Sequence, residues 1–486
     1  MAFVDRRRPE NVNISQILRI NLFALDNGHI YYEIQVTLSQ FYWTIKRRYS
    51  EFKELHDKLV AENKVENGLL PAKHVFGVKN EAFLKKRQVD LEVYLLRLWH
   101  HLRWFPTAFA EFLDFHIYEI HFVTEDLCKK FALNDDPQKA GREDFVFTPL
   151  QIYAVNKRLQ LPEPNHEPQD KSRDFGHLLD YIYRLKIVRI LGSDSLLGAS
   201  NIVENQLPVD LMIFKSAEEL VLDQLRPAML SGLENVRLTV RKLKIHRTLQ
   251  SLSVFFLRDA DGWFVDSDFP ACLYWNKLVS ADLSSNRIEK IDSSIRLLDR
   301  VEHLDLSCNQ LRTIDHLHHL HNLQKLVLAK NYLSDLDALH AKLGNVQKII
   351  LCHNQLQSLK GLAKLYSLEY LDVSDNEVSS IGEVEHLRSL PCLTNISLTS
   401  NPITLVVDYR IKILACFGVR ANEVSLDGTP GSAQEISHVN ILLAIRKAQS
   451  GGAAPLRKRP TSEMMYNGSP SSGAASPRPG GAASFS

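Results

Sequence analysis

The chain has 486 residues, 45% apolar and 24% charged, with 58 basic side chains against 57 acidic ones. That length predicts two to four domains, each able to bury a core without a disulfide or metal staple. A net charge of +1 leaves any electrostatic role to local clusters, and nucleic acid is not an expected partner.

In chain order, residues 1–14 carry no apolar run, so a flexible N-terminus is expected there rather than a secretory signal. "ILRINLFALD" and "HIYYEIQVTL" are rich in β-branched and aromatic residues and are joined through Asn27-Gly28, a hairpin signal. "FYWTIKRR" reads as a third strand. From Tyr49 the period changes, and Phe52, Leu55 and Leu59 mark an amphipathic helix. A proline-containing loop, "GLLPAKHVFGVKN", and a long helix over "EAFLKKRQVDLEVYLLRLWHHL" complete a compact α+β domain over residues 15–118.

Residues 119–205 read as a connecting region of helices around a polar, proline-rich loop. Over 206–430 an internal repeat takes over. Its template L-x-x-L-x-L-x-x-N-x-L places asparagines at Asn286, Asn309, Asn331, Asn354, Asn376 and Asn401. A period of about 22–23 residues with this motif is the leucine-rich-repeat signature. The expected fold is therefore an α/β solenoid of parallel strands, with degenerate repeats to about residue 265, regular ones over 278–405 and a cap to 430. Each L-x-L forms a short strand whose leucines can be buried only by stacking on neighbours. The asparagine amides are expected to form an internal hydrogen-bonding ladder. A helix over 431–449 and a disordered Gly/Ala/Ser/Pro-rich tail over 450–486 close the chain.

Two regions carry candidate chemistry. In the first domain, Lys46-Arg47-Arg48, Lys73 and Lys85-Lys86-Arg87 form basic clusters, and Tyr49 follows the first. Arginine makes bidentate contacts to phosphate and an aromatic ring can stack on a sugar-like ring. Val75, Phe76 and Val78 lie beside these cations, as in a membrane-inserting loop. From spacing alone the clusters read either as an inositol phosphate site or as a solvated basic face. In the repeats, the strand positions between leucines form two concave columns. One is Asp282, Asp305, Val327, Ile350, Asp372 and Ser397; the other is Ser280, His303, Lys325, Lys348, Tyr370 and Asn395. Lys325, Val327, Lys348, Ile350, Tyr370 and Asp372 make an apolar centre with a charged rim, the anatomy of a protein interface.

The set "KRRYSEF", "LLPAKHVFG" and "KKRQVDLEVYL" resembles the PX (phox-homology) domain. The resemblance implies that Arg48 binds the 3-phosphate of phosphatidylinositol 3-phosphate, Tyr49 stacks under the inositol, Lys73 binds the 1-phosphate and Arg87 binds ring hydroxyls. A PX domain followed by these repeats, together with "PLQIYAV", "SNIVENQLPVDLMIFKSAEEL" and "LHAKLGNVQKI", resembles the nischarin (imidazoline receptor candidate) family. This chain would be a short form lacking that family's long C-terminal region, so integrin and insulin-receptor-substrate binding are not carried over. The family implies an endosome-associated scaffold that engages small GTPases of the Rac and Rab types, or their kinases, and influences vesicle traffic and cell migration. The alternative is a cytosolic interaction scaffold whose PX-like domain no longer binds lipid. Homodimerisation stays open.

Other chemistries find little footing. The cysteines form no C-x-x-C pair, and the run of His316, His318, His319 and His321 falls on the convex side of a repeat, so no metal or cofactor is expected. No P-loop, G-x-S-x-G or kinase set occurs, so no enzyme is expected. No window of about 20 apolar residues occurs, so membrane contact would be peripheral.

Overall fold

The structure is a computed structural model and describes residues 18–26, 29–72, 81–102, 106–132, 145–161, 174–258, 269–337 and 339–450. It opens with three antiparallel strands, β1 (Leu18–Asp26), β2 (His29–Leu38) and β3 (Phe41–Arg48), in the order β1-β2-β3. Asp26 pairs with His29 on either side of the Asn-Gly signal. Alternation sends Tyr32, Ile34, Val36 and Leu38 of β2, and Phe41, Trp43 and Ile45 of β3, into one core. Helix α1 (Tyr49–Ala61) adds Phe52, Leu55 and Leu59, and α2 (Glu81–His101) adds Leu91, Leu95 and Leu98. The short helices α3 (Thr107–Phe112) and α4 (Phe115–Tyr118) close the core around Trp43. The Trp43 ring stacks on Tyr118 at 5.0 Å, and its indole N–H donates to the Leu113 carbonyl at 2.9 Å.

The next elements are α5 (Ile120–Ala132), β4 (Val146–Phe147), α6 (Pro149–Leu159), α7 (Phe175–Arg184) and β5 (Ile187–Leu191). Two of them serve two cores at once. Helix α5 gives Ile120 and Val123 to the first core and Leu127, Cys128 and Phe131 to the repeat core. Helix α6 gives Leu150, Tyr153 and Ala154 to the first and Ile152 and Val155 to the second. A helix apolar on two faces has to be buried on both. Residues 119–205 therefore do more than connect: β4 and β5 already pair in the solenoid sheet, which starts well before the repeat pattern becomes visible at 206.

The solenoid continues through β6 (Val209–Asp210), β7 (Glu219–Asp223), β8 (Leu230–Ser231), α8 (Leu233–Thr239), β9 (Lys242–His246) and α9 (Ser253–Phe256). The regular turns follow with β10 (Ser280–Asp282), β11 (His303–Asp305), β12 (Lys325–Val327), α10 (Leu339–Lys342), β13 (Lys348–Ile350), β14 (Tyr370–Asp372), α11 (Ile381–Glu385) and β15 (Asn395–Ser397). The end is capped by α12 (Tyr409–Cys416), β16 (Ser425–Leu426), β17 (Thr429–Pro430) and α13 (Ala433–Ser450). Strands β6 and β8 pair with each other. The rest form one 12-stranded sheet, β17-β16-β15-β14-β13-β12-β11-β10-β9-β7-β5-β4, parallel except for its last pair.

The asparagine ladder is present as a repeated three-way bond. The Asn331 amide donates to the carbonyls of Leu306 and Leu328, both at 3.0 Å, while its oxygen accepts the Leu311 N–H at 3.0 Å. Asn309, Asn354, Asn376 and Asn401 repeat the pattern. Just before these asparagines, Cys308, Lys330, His353, Asp375 and Ser400 all take positive φ, a conformation costly for such residues. The turn is held there by the buried amide that follows, which is why side chains at this position can vary.

Candidate functional site

Strand β3 divides its two arginines between different tasks. Arg47 is half-buried. Its Nε donates to the Phe112 carbonyl at 2.9 Å and its Nη2 pairs with Asp114 at 2.5 Å, so it holds α3 and α4 in place. Arg48 is exposed at the N-terminal end of α1, where its backbone N–H donates to Glu51 at 2.8 Å. Its guanidinium forms no ion pair among the described residues. The partial positive charge of the 13-residue α1 points the same way, and a helix N-terminus favours an anion.

Tyr49 stands next to it. Its hydroxyl donates to the Pro71 carbonyl at 2.5 Å. Burial raises the pKa of that hydroxyl, against the pull of the nearby Arg87. Arg87 projects from α2 and is nine-tenths buried. Its guanidinium lies 4.5 Å from the centroid of the Tyr49 ring and 4.7 Å from that of Phe83, and it donates to the Ala72 carbonyl at 3.1 Å. It also lies near the Tyr32 hydroxyl and pulls its pKa down, against burial, which pushes it up. Arg87 thus buttresses the Tyr49 ring and ties down the chain just before Lys73.

The structure brings Tyr49 and Arg87 together, and Arg48 precedes Tyr49 at the start of α1. Lys73, Val75, Phe76 and Val78 lie outside the described residues. Lys46 and Lys86 are exposed, and Lys85 is paired with Glu81 at 2.7 Å.

Along the repeats, strand pairing reproduces both concave columns. Lys325 pairs with Lys348 and Lys348 with Tyr370; Val327 pairs with Ile350 and Ile350 with Asp372. The Lys348 ammonium sits 4.0 Å over the Tyr370 ring. Toward the other end, Lys244 pairs with Glu219 at 2.8 Å and His246 contacts Asp282 at 3.2 Å. Among the described residues, no group of three or more His, Cys, Asp or Glu is placed to hold a metal ion, and no helix is long and apolar enough to cross a membrane.

Sequence reasoning missed the joint between the two modules. The segment 199–201 runs along the free edge of β3. Thr44 N–H donates to the Ala199 carbonyl at 2.9 Å and Asn201 N–H to the Tyr42 carbonyl at 3.1 Å. The Asn201 side chain accepts the Tyr42 N–H at 2.8 Å and donates to the Gln40 carbonyl at 3.0 Å. Gly198 has φ +53°, and a Cβ there would lie 2.5 Å from the Tyr118 hydroxyl, so only glycine fits. Covering a sheet edge this way also blocks it from pairing elsewhere. The nearest signal in the sequence is the Gly-Ala-Ser-Asn run at 198–201, which by itself reads as an ordinary turn.

Comparison with known proteins agrees with this layout. Residues 35–116 match the PX domain family, and residues 273–380 match a leucine-rich-repeat family. The serine/threonine-protein kinase 11-interacting protein of Gallus gallus is 30% identical over 241 residues, 48% of this chain and 22% of that protein. The chain thus spans about a fifth of the length of that relative. Dynein axonemal light chain 1 of Chlamydomonas reinhardtii is 30% identical over 161 residues, 32% of this chain and 80% of that protein. Among solved structures, a designed CISK-PX domain aligns at 28% identity with a TM-score of 0.19, covering 20% of this chain and 97% of that one.

Proposed function

We propose that this chain, which belongs to the leucine-rich-repeat proteins and carries a PX domain ahead of its repeats, is a non-enzymatic peripheral membrane adaptor. It binds phosphatidylinositol 3-phosphate on endosomes through Arg48, Tyr49, Lys73 and Arg87, and Val75, Phe76 and Val78 enter the lipid surface. Its repeat face captures a protein partner, a small GTPase of the Rac or Rab type or an associated kinase, and so influences vesicle traffic, the cytoskeleton and cell migration.

The observation that carries this reading is the division of labour in β3. Arg47 is consumed by structure, whereas Arg48 is left exposed at a helix N-terminus beside a buttressed tyrosine. A lipid-inactive PX domain on a cytosolic scaffold is the competing reading. One observation favours it: Arg87 is already engaged by Tyr49, Phe83, Tyr32 and Ala72.

Liposome co-sedimentation across the phosphoinositides separates the two. A charge-assisted contact from Arg48 to phosphate is worth about 2 kcal/mol, so Arg48→Ala should weaken binding roughly 30-fold and leave the thermal midpoint unchanged. If the wild type pellets with no phosphoinositide, the lipid reading fails. The partner half is tested by pull-down of Rac- and Rab-type GTPases with Ile350→Asp, which should lose capture while remaining folded.

A further inference from the structure

The concave face follows a polar rule that two adjacent repeats break together. In β10, β11 and β14 an aspartate is followed two residues later by a serine: Asp282 and Ser284, Asp305 and Ser307, Asp372 and Ser374. Each carboxylate accepts that serine's backbone N–H, at 3.1, 2.8 and 3.0 Å respectively. The Ser284 and Ser374 hydroxyls donate to the same carboxylates at 2.6 and 2.7 Å. These stretches therefore satisfy much of their own hydrogen bonding. In β12 and β13 both positions change at once, to Val327 with Ala329 and Ile350 with Cys352. Because Val327 pairs with Ile350, the four side chains form one apolar square bounded by Asp305 on one side and Asp372 on the other.

The rim of this square carries three lysines, set among the Asp305, Asp372 and Asp375 carboxylates. Lys325 and Lys348 are directly paired neighbours, about 4.8 Å apart across the strands. Like charges in that position repel. Lys348 is held over the Tyr370 ring, and Lys330 is exposed at the opposite edge of the square. Among the described residues, none of these three lysines forms an ion pair. Asp305 and Asp372 lie next to the square, but their carboxylates are turned to Ser307 and Ser374. Val327 and Ala329 are nearly covered and Ile350 is the more open, so the square offers one shallow apolar seat.

We infer that this square is the seat for an acidic segment of a protein partner, in which one aliphatic or aromatic side chain is flanked by carboxylates. The apolar side chain packs on Ile350 and Cys352, and the carboxylates pair with Lys325 and Lys348 on one edge and Lys330 on the other. Bringing a carboxylate between Lys325 and Lys348 relieves their repulsion. A basic segment would meet three lysines instead, so the same geometry selects against it. This rests on the reading that the concave face captures a partner, and it names the chemistry of that partner.

The test is selection of short random displayed peptides on the full chain, followed by affinity measurement on Ile350→Asp and on Lys325→Glu with Lys348→Glu, each checked for an unchanged melting profile. The selected peptides should carry several Asp or Glu around one Leu, Ile, Met or Phe. Binding should fall roughly tenfold or more on either variant and should weaken as salt is raised. Asp305→Asn, which removes a carboxylate beside the square, should tighten it. Basic or uncharged consensus peptides, no enrichment, or equal binding to Ile350→Asp would each overturn the inference, as would enrichment confined to anionic vesicles. If acidic peptides bind here while Rac- and Rab-type GTPases do not, this inference stands and the choice of GTPase falls. If GTPases bind and Ile350→Asp makes no difference, the inference alone falls.

Discussion

Asn201→Ala isolates the joint between the PX domain and the solenoid. The change removes two hydrogen bonds, from Tyr42 N–H to the Asn201 oxygen and from the Asn201 amide to the Gln40 carbonyl. Both lie at the surface, and each is worth about 0.5–1 kcal/mol net, which gives about 1–2 kcal/mol in favour of local opening. Neither hydrophobic core is touched, because Ile202 and Leu207 stay packed with Tyr153 and Ala154. Hydrogen exchange at Tyr42 and Thr44 should therefore speed up by a factor of roughly 5–30, while the thermal midpoint hardly moves. Asn201→Asp keeps the acceptor for Tyr42 and should show about half the effect. The consequence for function is orientation. Arg48 lies four residues along β3 from Thr44, roughly 13 Å at the rise of an extended strand. On the proposed reading, lipid held at one end of that strand would fix the tilt of a solenoid clipped to the other. Loosening the clip should leave phosphoinositide binding unchanged while broadening the distribution of angles between the two modules, read by spin-label distances on membranes. Unchanged exchange at Tyr42 would refute the reasoning, and so would faster exchange spread evenly over β1, β2 and β3.

Two further outcomes follow from the repeat core. Asn354→Ala orphans the buried Leu333 N–H and removes one of the two amide donors of the Leu328 and Leu351 carbonyls, which keep Asn331 and Asn376. It should cost about 2–4 kcal/mol in urea unfolding, and a loss under about 1 kcal/mol would sink the ladder argument. At β9–β10 the Asp282 carboxylate, 3.2 Å from His246 Nε2, raises the pKa of that histidine against the effect of burial. Burial works to raise Asp282, yet the neighbouring His246 and the hydrogen bonds from Ser284 hold it down at about 2. A raised histidine contributes stability that is complete below its unfolded value of 6.5 and fades as pH climbs through its folded value. The lowered aspartate contributes above 3.8 and loses its share only as pH falls toward about 2. The pair is therefore strongest between these limits. The melting temperature should drop from about pH 6 to about pH 8, and His246→Gln should flatten that slope; an equal slope in both proteins would exclude the pair as its source.

Much of this protein is written locally in its sequence. The 22–23-residue repeat fixes which leucines face inward, where the asparagines fall and which residues line the concave face, because each turn of a solenoid contacts mainly its neighbours. The change from a period of two to a helical period at Tyr49 likewise locates the end of β3 and the start of α1. Other features needed the tertiary structure. Nothing in "KRRY" says that Arg47 will meet Asp114, 67 residues away, and so leave Arg48 as the exposed arginine. The basic run at Lys85-Lys86-Arg87 does not reveal that its arginine is buried between two aromatic rings. Strand β4 has only two residues, too few to show a period, so the early start of the sheet was invisible. The clip at Asn201 joins segments 159 to 161 residues apart. Periodicity reports which face of an element is buried, but the partner of an individual polar side chain is decided only when distant segments are packed together.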